Sequence, residues 1–298
     1  MTSESPLSTN DSGPGTFGLS VIIPVSDDPG VVECVRALLP CCEGLRVELI
    51  VILNGASAEY SEYVRRSFEA ESIVRIVEIK ERSIPAARNI GVRNALNARV
   101  LMFDSDCRPL HSDYLKTVSK ELDEASVIVG AVHFRSMDTS AVSQGYAALR
   151  QLDYDLHQLA RLYTPNVAMR TDVFFKVAPY DERLVTGEDA EFGYRVLAAG
   201  WVPRRIPSIE IVHWQQTSFR GAVRTWYLYG RAKGVQLRKK GGGAGTMLRA
   251  LPYIAAPIGS YLRMAGSVPS TLWLRPLIAC AFQTGCLIEL ILPWRAPR

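Results

Sequence analysis

No two of the six cysteines (Cys34, Cys41, Cys42, Cys107, Cys280 and Cys286) stand at CxxC spacing, and no histidine lies at zinc-finger distance from them. A metal knuckle is therefore set aside. The adjacent Cys41 and Cys42 with widely scattered others read as reduced cytosolic thiols rather than a disulfide framework. Residues 1–18 hold no apolar run and are rich in Ser, Thr, Gly and Pro, so they read as a loose tail and not as a secretory signal. There is no GxGxxG after the first apolar run and no GxxxxGK[ST] anywhere. Dinucleotide oxidoreductases and P-loop enzymes lose their phosphate-binding signatures with those absences. Internal repeats are absent too. Long apolar runs are scarce: residues 247–261 are broken by Pro252 and Pro257, and residues 276–292 carry Gln283 and Glu289 inside. The latter run is at the lower limit for a membrane span, which needs about 20 residues.

What is present suits a globular protein. The chain of 298 residues is 48% apolar and 21% charged, enough for one large domain with an appendage or two small ones. The net charge of +4 is unevenly placed: from Tyr194 onward there are fifteen Lys or Arg and two acids, Glu210 and Glu289. A net-acidic first two thirds and a basic last third point to an anionic partner. Residues 19–25 (LSVIIPV), 47–53 (VELIVIL), 73–79 (IVRIVEI) and 100–103 (VLMF) read as strands, with a further one at 126–132. Residues 29–39, 58–71, 84–98, 112–124 and 187–200 read as helices. Strand–helix alternation of this size predicts an α/β domain with a mostly parallel, doubly wound sheet. Ligands of such sheets sit at the carboxyl ends of the strands, so the residues after each strand are the candidates.

Asp104-Ser105-Asp106 follows the strand at 100–103 directly. Two carboxylates at i and i+2 in that place suit Mg²⁺ or Mn²⁺ bound to a diphosphate, although a turn uses the same residue types. Pro24 lies in the first strand, Asn54-Gly55 ends the second, and Ala86-Ala87-Arg88-Asn89 opens the helix before Asp104. Downstream come Pro165-Asn166-Val167-Ala168-Met169-Arg170, Tyr180-Asp181-Glu182-Arg183, Gly187-Glu188-Asp189 and Ala199-Gly200-Trp201. This ordered series, over roughly residues 19–214, resembles glycosyltransferase family 2, the inverting GT-A transferases that use a nucleotide-sugar donor.

The resemblance implies a Rossmann-like GT-A nucleotide-diphospho-sugar transferase domain at 19–220 and a basic and apolar helical appendage at 221–298. It places Asp104 and Asp106 in the metal site, with Asp106 the direct ligand, and brings His213 to the metal or the diphosphate. Pro24, Asp27, Asn54, Arg88, Asp104 and Ser105 become the donor-binding candidates, with Arg88 suited to a nucleobase edge or a phosphate. Asp189 takes the role of general base on the acceptor hydroxyl, and Glu188 orients the acceptor or holds the helix start. The bland alternatives stand beside these roles. Glu188 and Asp189 also suit the first turn of a helix, Arg88 a helix surface, and His213 a hydrogen-bonded core position. His111, His133 and His157 show no partner spacing and read as structural. Two departures stand out: no aromatic residue follows Pro24, and Leu53 stands where relatives place a base-reading aspartate. Asp27, Asp28 or Asn54 are left to supply those hydrogen bonds.

Among alternatives, a sugar-1-phosphate nucleotidyltransferase would open with a Gly-rich stretch and an Arg/Lys pair, which residues 24–30 lack. A non-catalytic nucleotide-sugar or membrane-binding module is disfavoured by four intact carboxylates, Asp104, Asp106, Glu188 and Asp189. Residues 219–240 interleave Arg220, Arg224, Arg231, Lys233, Arg238, Lys239 and Lys240 with Trp226, Tyr227 and Tyr229. No nucleic-acid motif accompanies them, and nucleic acid is not expected as a partner. Basic residues beside apolar helices fit an anionic membrane surface, and internal packing or a homodimer interface is the alternative use. The expectation is thus a cytoplasmic enzyme, peripheral at the membrane face, with a nucleotide-sugar donor and an acceptor of unspecified class.

Overall fold

The computed structural model describes residues 18–239 and 274–291. Residues 1–17 of the expected tail at 1–18, and the apolar run at 247–261, lie outside them. Among the described residues eight strands make one sheet: β1 (Leu19–Val25), β2 (Val47–Asn54), β3 (Val74–Ile79), β4 (Arg99–Met102), β5 (Cys107–Pro109), β6 (Val127–Ser136), β7 (Val167–Arg170) and β8 (Arg204–Gln215). Their order across the sheet is β3-β2-β1-β4-β7-β6-β8-β5. The first four are mutually parallel; β7 runs antiparallel to β4 and β6, and β5 antiparallel to β8. The sheet is the expected Rossmann-like one over its first half and mixed over its second.

The helices are α1 (Gly30–Leu38), α2 (Ala58–Ser67), α3 (Ile84–Asn94), α4 (Tyr114–Glu124), α5 (Ala141–Arg161), α6 (Thr171–Lys176), α7 (Glu188–Ala198), α8 (Phe219–Lys239) and α9 (Leu274–Ile291). Strand alternation divides them into two layers. Leu19, Val21, Ile23, Leu49, Val51 and Leu101 share one core with Val31, Val35, Val64 and Val118 of α1, α2 and α4. Ile22, Ile50, Ile52, Val100 and Met102 turn the other way, onto Ala87, Val92, Phe174 and Phe192 of α3, α6 and α7. Residues of β1 and β2 are buried on both faces, which is why the sequence shows them as unbroken apolar runs. A Cβ on Gly91 would collide with Ile22, so α3 can lie this close to β1 only with glycine there.

Two helices are shorter than the sequence pattern predicts. α3 stops at Asn94 instead of running to 98, because the next residues are held by the sheet's lower edge. The Leu96 amide donates to Glu48 Oε1 (2.6 Å) and the Asn97 side chain to Ser20 Oγ (3.1 Å). α2 gives way after Ser67 to a turn closed by the Glu71 amide on the Phe68 carbonyl (3.0 Å).

The long strand β8 was hidden by Pro207 in mid-run. Between Gly130 and Ala131 the β8 partner jumps from Ile206 to Glu210, so residues 207–209 bulge out of the ladder. Asn166 fills that bulge. Its amide donates to the carbonyls of Ala131 (2.9 Å) and Ile209 (3.0 Å), and its oxygen accepts from Tyr114 (2.8 Å). The bulge re-aims the last part of β8 across β5, where His213 pairs with Cys107.

α8 and α9 pack together through Gly230, Gly234 and Gly285, where a Cβ would strike the facing helix. Glu289 of α9 is buried between them and accepts from Arg231 (2.6 Å) and Arg238 of α8. Part of the basic run is therefore neutralised within the helix pair. No described helix is long and apolar enough to cross a membrane.

Candidate functional site

The loop after β4 carries Asp104, Ser105 and Asp106, and its carbonyls are all engaged. The Cys107 amide donates to Asp104 O (3.0 Å), Arg108 to Ser105 O (3.1 Å), and the Trp214 amide to Asp106 O (3.0 Å). Ser105 Oγ donates to Asp28 Oδ2 (2.8 Å), and Asp28 Oδ1 accepts the Gly30 amide (2.9 Å) at the start of α1. Ser105 thus ties the loop to α1, and Asp28 is spent on that tie. A turn fixed at every carbonyl leaves its two Asp side chains to be aimed by other elements.

They are aimed in different directions. Asp106 Oδ2 lies 2.8 Å from Nε2 of His213, which β8 delivers, while the opposite nitrogen, Nδ1, is buried without a partner. Asp106, Cys107 and His213 form the one candidate metal group among the described residues. The carboxylate and imidazole stand close to the roughly 3 Å that separates adjacent ligands of an octahedral ion with bonds near 2.1 Å. That donor pair suits Mn²⁺ or Mg²⁺. Burial pushes the Cys107 thiol well above its ordinary pKa, so it stays protonated and is a poor ligand for a hard cation. His213 is the buried, hydrogen-bonded histidine of one reading, and the same contact with Asp106 places it in the candidate metal group.

Asp104 turns the other way, to Arg88. This guanidinium is buried, not on the helix surface: one nitrogen meets Asp104 Oδ1 at 2.9 Å and another meets Glu188 Oε1. α3 is set for this by Ser83, whose hydroxyl caps the helix at the Ala86 amide, with Pro85 in its first turn. In this structure Arg88 faces two carboxylates, not an open nucleotide pocket. The neighbouring Asn89 closes the next loop, donating to Tyr180 O (2.9 Å) and Glu182 (2.8 Å) and accepting the Tyr180 amide (2.9 Å). These bonds explain the Ala-Ala-Arg-Asn and Tyr-Asp-Glu-Arg series: one residue bridges to α7 and the next positions the chain leading there.

Gly187 precedes α7 with φ +75°, a left-handed conformation that glycine adopts without strain. It starts the helix so that Glu188 is buried on Arg88 and Asp189 is only half-buried. Burial and the neighbouring Glu188 push the Asp189 carboxyl up to about 7, against the opposing pull of Arg88. A carboxylate held there can accept a proton near neutral pH.

The other donor-binding candidates line the amino side. Pro24 pairs with Ile52 inside the sheet. Asp27 sits at φ +49°, accepts the Ser57 amide (2.9 Å) and lies 3.4 Å from Arg82. Leu53 is fully buried in the core, so it cannot stand in for the missing aspartate. Asn54 Oδ1 accepts the Ser83 amide (2.7 Å), while its Nδ2 is buried without a partner. His111 and His133, which lacked a partner by spacing, both meet Glu210, at 3.0 and 2.9 Å; the side chain of His157 is outside the described set. Sequence reasoning missed Arg150 of α5, which is buried and whose charge acts on Asp189. No motif surrounds it, and only the packing of α5 against α7 and α8 brings it here.

The model of a family described as "Glycosyl transferase family 2" matches residues 20–178, more than half the chain. The chain belongs to that family. Among curated relatives, the glycosyltransferase AglE of Haloferax volcanii is 25% identical over 190 residues, 61% of this chain and 62% of its own length. The pre-mycofactocin glycosyltransferase of Mycobacterium tuberculosis is 24% identical over 229 residues, 74% of this chain and 47% of its own. The chain thus spans about three fifths and about half of those relatives. A solved structure, the mannosyltransferase PcManGT of Pyrobaculum calidifontis in complex with GDP-Man and Mn²⁺, superposes with a TM-score of 0.64 at 15% identity. The match covers 97% of this family member and 91% of that chain, and it establishes the shared GT-A fold.

Proposed function

We propose that this family 2 protein is an inverting glycosyltransferase, moving a sugar from a nucleoside-diphosphate donor to an acceptor hydroxyl with Mn²⁺ or Mg²⁺. The observation that carries the reading is Arg88. By bonding Asp104 and Glu188 it draws the loop after β4 and the start of α7 into one cleft at the carboxyl ends of the parallel strands. Family membership and a fold-mate that binds GDP-Man with Mn²⁺ support a nucleotide-sugar donor.

Asp106 and His213 are the residues that would hold the metal, while Asp104 of the same loop is turned to Arg88. Bound there, the ion would offset charge on the departing diphosphate. Asp189 accepts the acceptor hydroxyl's proton as that oxygen bonds the anomeric carbon and the carbon–phosphate-oxygen bond breaks, inverting the centre in one displacement. Glu188 acts through Arg88, fixing where α7 begins. Ser105 holds the metal loop on α1. Asp27 and the unpartnered amide of Asn54 are the groups left to meet the nucleobase.

The boundary between catalytic domain and appendage falls at residue 220 in this reading. The appendage, residues 221–298, serves an anionic membrane surface through the basic residues not committed to Glu289, or a second copy of the chain. Incubation with a panel of nucleotide sugars and Mn²⁺, following release of nucleoside diphosphate, tests the function. Release from at least one donor, lost in Asp106→Ala, is expected. No release from any donor would contradict it.

A further inference from the structure

Arg150 of α5 is a guanidinium nine-tenths buried whose single hydrogen bond among the described residues goes to a neutral group, the Tyr229 hydroxyl (2.8 Å). Three rings surround its charge: Phe134 at 5.2 Å, Tyr229 at 5.4 Å and Tyr163 at 5.7 Å from the guanidinium carbon. Among the described residues no carboxylate is within ion-pair distance of it, whereas buried Arg88 has two and Arg99 has Asp123. Asp153 acts on the charge of Arg150 without forming an ion pair with it among the described residues. A buried cation with no paired carboxylate is costly, and aromatic faces offset only part of that. With one donor used on Tyr229, Arg150 retains others in a planar fork suited to a phosphate.

Its position says which molecule would supply the anion. Phe134, under the guanidinium, also packs on the His213 ring at 5.0 Å, and His213 meets Asp106. Its helix α5 also packs against α7, which carries Asp189, and the Arg150 charge opposes the rise in the Asp189 pKa. Arg150 is thus linked through Phe134 to the metal-binding candidates and through α5 to the helix of the candidate base.

We propose that Arg150 is a phosphate-binding residue of this cleft, engaging either the donor's diphosphate or a phosphate carried by the acceptor. The inference rests on the proposed transferase reading and deepens it, because the second source would make the acceptor a phosphorylated lipid or sugar.

The test uses Arg150→Met, which keeps most of the volume and removes the charge, and Arg150→Lys, which keeps the charge without the fork. Thermal melting comes first. Removing an unpaired buried cation is expected to leave the melting temperature unchanged or raised; a clear fall, rescued by Lys, would mark Arg150 as structural and overturn the proposal. Titration calorimetry then compares the common nucleoside diphosphates with Mn²⁺, and separately farnesyl phosphate, on all three proteins. A loss of about 10–100-fold in Arg150→Met, the worth of a charged hydrogen bond, is expected for one probe class. Weakened nucleotide binding identifies the donor diphosphate as the anion; weakened farnesyl phosphate binding identifies the acceptor. Equal affinities in wild type and Arg150→Met for every probe that binds would overturn the Arg150 assignment alone. If the unaltered protein bound no nucleoside diphosphate, the transferase reading would fail, and the farnesyl phosphate arm would still decide Arg150. Binding of neither class to the unaltered protein overturns both.

Discussion

Glu48 and Asp189 are carboxylates at opposite ends of the same sheet, and the chain treats them in opposite ways. At the amino ends of the strands, Glu48 is buried and saturated. It accepts from Ser20 (2.5 Å), from the Leu96 amide (2.6 Å) and from Arg75 (2.5 Å), all in one closed cluster. At the carboxyl ends, Asp189 receives, among the described residues, only the amide of the next residue, Ala190 (2.7 Å), beside a second acid. Its carboxyl is pushed up to about 7 by burial and by Glu188. Arg88 forms ion pairs with two carboxylates there, while Arg150 forms none among the described residues. One end of the sheet is finished as structure, and the other is left with unmatched charge and unmatched donors. Sites that bind charged ligands carry such residues because the ligand completes them.

The largest effect expected from breaking this contrast is on chemistry. Asp189→Asn removes the proton acceptor with little change of shape, and kcat is expected to fall by about 10²–10⁴-fold with donor affinity retained. In the unaltered protein the acid limb of kcat/KM should lie near pH 7, where Asp189 loses its proton, and the variant should lack it. Stability moves the other way. The folded-state pKa is raised above the unfolded value, so stability falls as pH rises from about 4 through 7. Asp189→Asn should therefore melt higher than the parent at pH 8, with the difference vanishing toward pH 4. A helix-capping role predicts a lower melting point and retained activity.

Next in size is Glu48→Ala at the finished end. Ser20 and the Leu96 amide lose a buried acceptor, at about 1–3 kcal/mol each, while the partly exposed Arg75 can turn to water. Denaturant unfolding should show a loss of about 2–4 kcal/mol, and the folded fraction should keep its kcat because the strands separate the two ends by roughly 20 Å. An altered kcat per folded molecule would break the contrast. The smallest effect is expected for Gly91→Ala, where the new methyl meets Ile22 between α3 and β1. Overpacking of this kind costs about 1–3 kcal/mol. A shift in kcat as well as in the denaturation midpoint would show that α3 transmits strain to Arg88.

The parallel half of the fold was legible because β1 and β2 are buried on both faces and read as unbroken apolar runs. β7 and β8 were not. β8 alternates polar and apolar residues around Pro207, and its course depends on Asn166 filling a bulge, a contact across 43 residues. The candidate site was legible where its residues sit on motifs: Asp104, Asp106, Glu188, Asp189 and His213. What those motifs could not convey was direction. Arg88 points at carboxylates, and Asp28 is consumed by Ser105 and Gly30. Arg150 was invisible, because a lone arginine on a long helix carries no pattern and acquires its meaning only from the rings packed around it.

The central claim is that the carboxyl end of the sheet takes a nucleoside diphosphate together with a divalent ion through Asp106 and His213. Calorimetric titration of the common nucleoside diphosphates into the unaltered protein and Asp106→Ala, each with Mn²⁺ and with excess chelator, addresses it most directly. The account predicts binding of at least one nucleotide to the unaltered protein with Mn²⁺, and severe weakening both by chelator and by the substitution. Equal affinity in all four conditions, with the variant folded, would contradict it.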